Sequence, residues 1–466
     1  MIPRSRRARV TAAALGVLLI VAGGFVAYAL THRRPPDVSN PDVAFSAPTT
    51  TVAAPTPNPR TLAFEWPLYG YTPARTRSFP LATPARPPFV QRWAVHGSTL
   101  LEFPPVAGGS SLYLLKNNGA LYAIKRRSGV VYWKTKLGDL AASSPAYRQG
   151  VLFCTILQGA RGADQGRVVA FNVQYPRVRW SRTLPSRTET SPLVVADTVY
   201  VGSENGTVYA FRADDGYLRW TAKVSGAVKG GLAYDAGKLF FGDYSGHVTA
   251  LDARTGRKIW SVGGGTGAFG LGGGEFYATA SVAFGRVYIG NTNGSVYSFS
   301  ERNGALAWRR GTGNYVYSSA AVAAVAGVGP TVYVGSYDGT MYALDARSGA
   351  VRWTHRAEGQ ISGGIQLIGD LVFYSTLSGH TTALGAATGR VVWSVPKGKF
   401  NPVISDGRYL FLNGQTSLFA YDLRPGKGPV KEVPGDRPVL KPPKRDQQRL
   451  AAARAGTSTA TGSTTP

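Results

Sequence analysis

The chain is poor in the residues from which most compact active sites are made. Its 466 residues include one cysteine, five histidines and two methionines, and 25 acidic residues stand against 52 Lys and Arg. A single thiol closes no internal disulfide, and no second Cys or His cluster lies near Cys154 to complete a metal site. Cys154 therefore reads as a buried strand residue. Residues that favour long helices give way to 58 glycines and 11% aromatics, a balance that suits many short turns and pleated strands. An all-β fold is the expectation.

The formal net charge is +27, and its distribution narrows what it means. The first 34 residues hold six Arg and no acid, and the segment after Leu423 holds nine Lys and Arg against three acids. Arginines of the body mostly fall singly at turn positions, as Arg254, Arg347 and Arg390 do. They do not form the clustered, aromatic-interleaved stripe of a nucleic-acid groove, so no nucleic-acid partner is expected.

The ends divide from the body by composition. Residues 1–10 form a short basic segment expected in the cytoplasm. Residues 11–30 (TAAALGVLLIVAGGFVAYAL) are uncharged and long enough to cross a bilayer as a helix. The arginines before this run favour a signal anchor with the rest of the chain outside, at the cell surface or in the periplasm. A cleaved signal peptide is the alternative, since Ala27-Tyr28-Ala29 resembles a cleavage site; the length of the apolar run favours the anchor. Residues 31–61 are rich in Pro and Thr and read as an extended stalk. Residues 424–466 read as a disordered basic tail.

Between them, over 62–423, the chain repeats itself. Apart from Trp66, tryptophans fall at Trp93, Trp133, Trp180, Trp220, Trp260, Trp308, Trp353 and Trp393, a spacing of about 40 to 48 residues that indicates radially or linearly arrayed units. Each interval carries a β-rich run (VYVGS at Val199 and Val332, LFFGD at Leu239, LVFYS at Leu371), then a Gly-centred turn such as Asn205-Gly206 or Asp338-Gly339. These dipeptides supply the positive φ that two-residue hairpins need. A further strand is expected before each unit, at Ser143, Thr190, Ala280 and Ser318. Four-stranded antiparallel units repeated in this way make a β-propeller. The eighth unit, ending at Ala420-Tyr421-Asp422, has no tryptophan after it, while 89–95 (FVQRWAV) is a Trp-bearing strand with no unit before it. That strand would complete blade eight and close the ring, hiding its sheet edges.

The pattern Ala250, Asp252, Thr255, Gly256, Trp260, repeated as Ala343, Asp345, Ser348, Gly349, Trp353, resembles the tryptophan-docking motif of the pyrroloquinoline quinone (PQQ) type β-propeller repeat family. Looser copies end at Trp133, Trp220, Trp308 and Trp393, and the copy ending at Trp180 has Tyr175-Pro176 in place of the turn. The resemblance implies eight blades with each indole packed between neighbours on an alanine and a glycine peptide, so all eight tryptophans are assigned to blade docking. An indole suits that role because it offers a large apolar face and one N–H.

The family includes quinoprotein dehydrogenases, with PQQ and calcium on the propeller axis, and non-catalytic members similar to the propeller lipoprotein of the outer-membrane barrel-assembly machinery. The dehydrogenases commonly carry a disulfide of adjacent cysteines, which one cysteine excludes, and no converging set of oxygen ligands for calcium can be assembled from the sequence. Val262 to Phe276 (VGGGTGAFGLGGGEF) has glycine spacings like a phosphate loop but precedes a strand rather than a helix. It reads as an inter-blade loop, with ligand gating as the alternative. His247 and His380 follow turn glycines in two different blades and read as one repeated exposed position. No catalytic, cofactor or metal residue is assigned. The chain is expected to be a monomeric, membrane-anchored propeller that scaffolds protein or envelope-polymer partners; a PQQ-dependent oxidoreductase is the alternative.

Overall fold

A computed structural model describes residues 34–47, 64–157, 164–264, 273–423 and 431–434. The chain forms eight sheets, each built on four antiparallel strands, a to d from the axis outward, which follow sequence order in blades 1 to 7. Blades 1 to 7 span 106–136, 146–184, 193–223, 233–263, 281–311, 321–356 and 366–395. Blade 8 takes its three inner strands from 403–422 and its outer strand from Val90–His96, which pairs antiparallel with Leu418–Asp422. The ring is closed by the strand expected at 89–95, displaced by one residue.

One register defect recurs in all eight blades. The docking tryptophan of strand d stands opposite a small residue of strand c: Ala123, Ala170, Ala210, Ala250, Ser298, Ala343, Ala383 and, for Trp93, Ala420. The ladder shifts immediately after each of these residues. A β-bulge bends its strand and sharpens the local twist, and the small partner leaves room for the indole.

The inner strands begin later than the sequence suggests, at Ala146, Leu193, Ser281 and Ala321. The Ser and Thr residues in front of them are buried around the axis, where they bond main chain that the short inner strands leave unpaired. Ser144 Oγ donates to the Pro104 carbonyl at 2.7 Å, and Ser318 Oγ donates to Gly335 at 2.6 Å. A hydroxyl-rich run resembles a strand in propensity, but its hydrogen bonds here are made by side chains.

Two end segments also differ from expectation. Over 34–47, part of the stretch read as a free stalk, the chain lies along the outer edge of blade 5. Val38–Ser39 pairs with Trp308 and Arg309, Arg309 Nε donates to the Pro36 carbonyl, and Phe45 meets Phe284 with ring centroids 5.6 Å apart. The open edge of blade 5 offers backbone partners that local composition cannot reveal. Within the segment read as a tail, Lys431–Pro434 adds parallel to Val90–His96 as a fifth strand of blade 8. The apolar run 11–30 lies outside the described residues. Among the described residues no helix is long and apolar enough to cross a membrane.

Glycines of the repeat separate two physical costs. Gly237 and Gly349 both have positive φ, +81° and +72°, but an added Cβ meets nothing within 4 Å at Gly237 and the Trp308 ring at 2.7 Å at Gly349. Gly237→Ala should lose about 1–2 kcal/mol from left-handed strain alone. Gly349→Ala should lose about 2–5 kcal/mol, because it adds overpacking against the indole. Urea unfolding of the two variants side by side measures the difference.

Candidate functional site

Each predicted docking tryptophan occupies the outer strand of its blade, and six of them lie on the next blade's turn glycine. Trp93, Trp180, Trp220, Trp260, Trp308 and Trp353 cover Gly129, Gly216, Gly256, Gly304, Gly349 and Gly389, where a Cβ would come within 2.5–2.8 Å of the ring. In each case the indole N–H donates to the carbonyl three residues before that glycine, at 2.8–3.2 Å. Trp133 faces a turn with Pro176 in place of glycine and packs against Tyr113 and Phe171. Trp393 packs against Phe89 and Tyr421. Cys154 is buried at 0% exposure, and burial pushes its thiol well above the usual range.

The axis is occupied by a segment that no repeat contains. Glu65–Trp66 adds to the inner edge of blade 1 and Ser78–Phe79 to the inner edge of blade 7, and the residues between them run past the inner edges of the blades that lie between. The carbonyls of Pro67, Pro73, Ala74, Thr76 and Arg77 accept inner-strand N–H groups from Tyr147, Tyr234, Val282, Val322 and Leu367. One short segment thereby ties blades 2, 4, 5, 6 and 7. Its path is tight, and Tyr71, Arg75 and Arg77 take φ values of 73°, 57° and 55°, a region that side chains other than glycine occupy only when their surroundings enforce it.

Two guanidinium groups from this segment are enclosed in the channel. Arg75 is 0% and Arg77 2% exposed. Arg75 is saturated by main chain: it donates to the carbonyls of Tyr69, Leu232, Ser191 and Pro192. Burial, with the like charge of Arg77 next in weight, lowers its pKa to about 9. Arg77 stacks with its Cζ 4.0 Å from the Tyr69 ring centre, and burial lowers its pKa as well.

Beside this plug is a cavity of about 80 Å³ lined by Tyr69, Glu102, Glu189, Lys229, Tyr277 and Asn401, among others. It opens on the upper face, where the loops from strand d to the next strand a meet the hairpin turns between strands b and c. Lys229 Nζ lies 2.8 Å from Glu189 and 3.4 Å from Glu204. Burial raises the Glu189 carboxyl, with Lys229 opposing. Around this mouth Tyr244, Tyr277, Tyr317, Tyr315 and Tyr337 form a continuous series of ring contacts across blades 4 to 6, with centroids 5.0–6.4 Å apart. Tyr315 is 48% exposed. His247 and His380 stand on hairpin turns of the same face, bonded to Ser245 and paired with Glu358. The structure does not bring the two together with further ligands. Among the described residues no three His, Cys, Asp or Glu are grouped to hold a metal ion.

Neither the plug nor the tyrosine series was singled out in the sequence. The plug had a signal: PLYGYTPARTRSFP, residues 67–80, lies inside the folded region yet outside the repeat. The tyrosines come from hairpin turns and loops of three consecutive blades, and only the packing of one blade on the next brings them into contact.

The ring, its repeated bulge and its indole locks define the chain as an eight-bladed PQQ-type propeller. It belongs to the family described as outer membrane protein assembly factor BamB, whose model matches residues 90–227, 164–395 and 292–428. No curated protein matches the chain by sequence. Similar solved structures include BamB from Moraxella catarrhalis, at 16% identity and a TM-score of 0.58, covering 73% of this chain and 99% of that one. Quinohemoprotein alcohol dehydrogenase ADHIIG from Pseudomonas putida HK5 has 15% identity and a TM-score of 0.66, covering 81% and 82%. A europium-containing methanol dehydrogenase has 15% identity and a TM-score of 0.61, covering 77% and 98%. At these identities the likeness is one of fold.

The buried tyrosines set the response to alkali. Burial raises the pKa of Tyr113, Tyr244, Tyr277 and Tyr288 well above the usual value near 10. The folded state therefore keeps protons that the unfolded chain releases, and stability present below about pH 10 is lost as pH rises further. Arg75 acts with opposite sign between about 9 and its ordinary value, but the tyrosines outnumber it. Phenolate absorbance at 295 nm should rise in two phases: a gradual one from exposed tyrosines near pH 10, then a cooperative one that coincides with loss of circular dichroism.

Proposed function

We propose that this protein is a membrane-tethered, extracytoplasmic propeller that acts without catalysis, binding a protein partner across the tyrosine-lined upper face. The observation that carries this reading is the plugged axis. Sites for drug-sized ligands enclose roughly 300–1,000 Å³, whereas the axial cavity holds about 80 Å³ above a channel filled by residues 67–79. That volume speaks against a rigid fused tricycle such as PQQ, as does the want, among the described residues, of grouped carboxylates for its calcium. The upper face has the features of a protein interface. Tyrosine is enriched at such surfaces, and the rings here are braced by one another, which limits the entropy lost on binding.

Family membership and the BamB likeness support the scaffold reading, while the alcohol dehydrogenases among the structural neighbours keep the oxidoreductase as the reading to test against. Adding PQQ and calcium to purified protein should produce no saturable quinone absorbance and no alcohol-dependent dye reduction; turnover would reverse the assignment. For the binding surface, Tyr315→Ser combined with Tyr337→Ser should cut recovery of cross-linked envelope partners by about 10-fold or more, with the melting temperature little changed, since a few interface aromatics commonly carry the binding energy. For the tether, protease added to intact cells should remove the propeller, and full protection would overturn the proposed orientation.

A further inference from the structure

The strand that completes the outer edge of blade 8 also delivers the end of the chain to the upper face. Lys431–Pro434 runs parallel to Val90–His96, with Pro434 opposite His96, and His96 Nδ1 lies 3.1 Å from Ser417 Oγ on a hairpin turn of that face. Residues 435–466 start from this rim and lie outside the described residues. They open GDRPVLKPPKRDQQR (435–449), where Arg437, Lys441, Lys444, Arg445 and Arg449 stand against Asp436 and Asp446, with Pro438, Pro442 and Pro443 among them. Proline-rich sequence favours the extended polyproline conformation, a ridge whose backbone has little entropy left to lose on docking.

The face on which that end emerges has the complementary chemistry. Tyr315, Tyr317 and Tyr337 meet pairwise, with ring centroids 5.0–6.4 Å apart, and Tyr277 continues the row to the axial cavity, which Tyr317 also lines. Aromatic-lined grooves are the surfaces on which polyproline segments dock. The charge beside these rings is negative. Burial is the main reason their phenols resist ionisation, and carboxylates add to it: Glu189, Glu275 and Glu204 at Tyr244, Glu189 and Glu102 at Tyr277, and Glu275 at Tyr317. Lys229, 5.1 Å from the Tyr244 ring centre, is itself held by Glu189 and Glu204. An acidic, aromatic mouth thus shares a face with the basic, proline-rich end of the same chain.

The reach matches. Four strand spacings separate the inner strand of blade 8 from Lys431–Pro434, about 19 Å at about 4.8 Å each. A polyproline segment advances about 3.1 Å per residue, so the chain from Pro434 to Pro442 covers about 25 Å. That passes the inner strand of blade 8, in front of which Phe400 and Asn401 line the cavity, and leaves the following residues to extend over blades 5 and 6. We propose that residues 435–449 fold back across the upper face of their own chain, with Pro442 and Pro443 against Tyr277 and Tyr317 and with Lys444 and Arg445 beside the carboxylates of the mouth. The tail then covers the partner surface until a partner displaces it. This rests on the reading of the tyrosine face as a binding surface and adds what regulates it.

The test uses the full chain, whose one cysteine, Cys154, is buried and takes no part. With Tyr315→Cys and Gln447→Cys together, mild oxidation at low salt should close a disulfide within one chain, read as a faster band on a non-reducing gel and a linked peptide by mass spectrometry. Arg254→Cys, on an exposed turn of the lower face, should close with Gln447→Cys at least about 10-fold more slowly, because docking holds the tail away from it. Lys444→Glu with Arg445→Glu should slow closure to Tyr315→Cys by about 10-fold, and added salt should slow it in the unreversed chain. A tethered segment acts at an effective concentration of about 1 mM, so a contact with a Kd of about 100 µM leaves about one face in ten free. The charge reversal alone should therefore raise recovery of cross-linked envelope partners by about 5-fold.

The tail substitutions lie beyond the last strand, so loss of folding does not imitate the expected result. Closure as fast with the lower-face cysteine would overturn the proposal, as would closure indifferent to charge reversal and to salt. A linked dimer in place of the single-chain product would overturn it too, since the occupant would then be a second copy. Partner recovery separates this proposal from the reading it rests on. A closed disulfide with no partner recovered from either chain would keep the tail docked and refute the partner surface. Partners recovered equally from both chains, with no disulfide, would refute the tail and keep the partner surface.

Discussion

The ring depends on one contact: an indole from one blade laid on the turn of the next. Its geometry does three things together. The ring face covers a peptide that only glycine can present, the N–H reaches a carbonyl that the turn leaves open, and the bulge beside the tryptophan directs the side chain across the gap. In three blades the same carbonyl also accepts a tyrosine hydroxyl. Ala253 receives Trp220 and Tyr200, Ala346 receives Trp308 and Tyr288, and Ala386 receives Trp353 and Tyr333. The carbonyl's two lone pairs are thus both used, and adjacent sheets are fixed in position without any backbone ladder between them. A four-stranded sheet cannot bury both of its faces alone. The lock at six junctions, with ring packing of Trp133 on Phe171 and of Trp393 on Tyr421 at the other two, solves that around the circle, and closure by Val90–His96 leaves no blade without a neighbour.

This lock explains which parts of the molecule could be read from sequence and which could not. It is local: a small residue, turn, glycine and tryptophan fall within about a dozen residues, so the repeat announces itself six times, and even the missing tryptophan of the last unit points to Trp93. The inner strands are read less well, because Ser143-Ser144 and Ser318-Ser319 look like strand starts while their hydroxyls do the work of a ladder. The edge strands at Val38–Ser39 and Lys431–Pro434 could not be read at all. Their partners lie about 270 and 340 positions away, and nothing in a Pro-rich stretch tells which sheet edge it will meet.

The axis follows a different logic from the ring. Eight identical wedges would leave a channel, and the inner strands around it would face that channel with unpaired main chain. Residues 67–79 fill it with backbone that bonds five blades and with two guanidinium groups that a solvated loop would never bury. The left-handed conformations of Tyr71, Arg75 and Arg77 are tolerated because the surrounding strands leave the segment no other path. The plug therefore borrows its shape from the ring. Neither the burial nor the packing of those arginines is visible in the sequence before the ring is closed around them.

Lower and upper faces consequently carry different kinds of information. The turns that receive indoles all lie on the lower face, where every substitution is judged against the same lock, so the copies resemble one another. On the upper face the hairpin turns keep a central glycine in most blades, while the residues beside it and the loops between blades are free of the indole lock and differ from blade to blade. Tyr244, Tyr277, Tyr315, Tyr317 and Tyr337 arise there from two kinds of loop in three blades, and no one of them is required by the repeat. A surface that architecture does not demand, yet whose rings are packed in a continuous series with Tyr315 exposed, is the reason the partner face is proposed there.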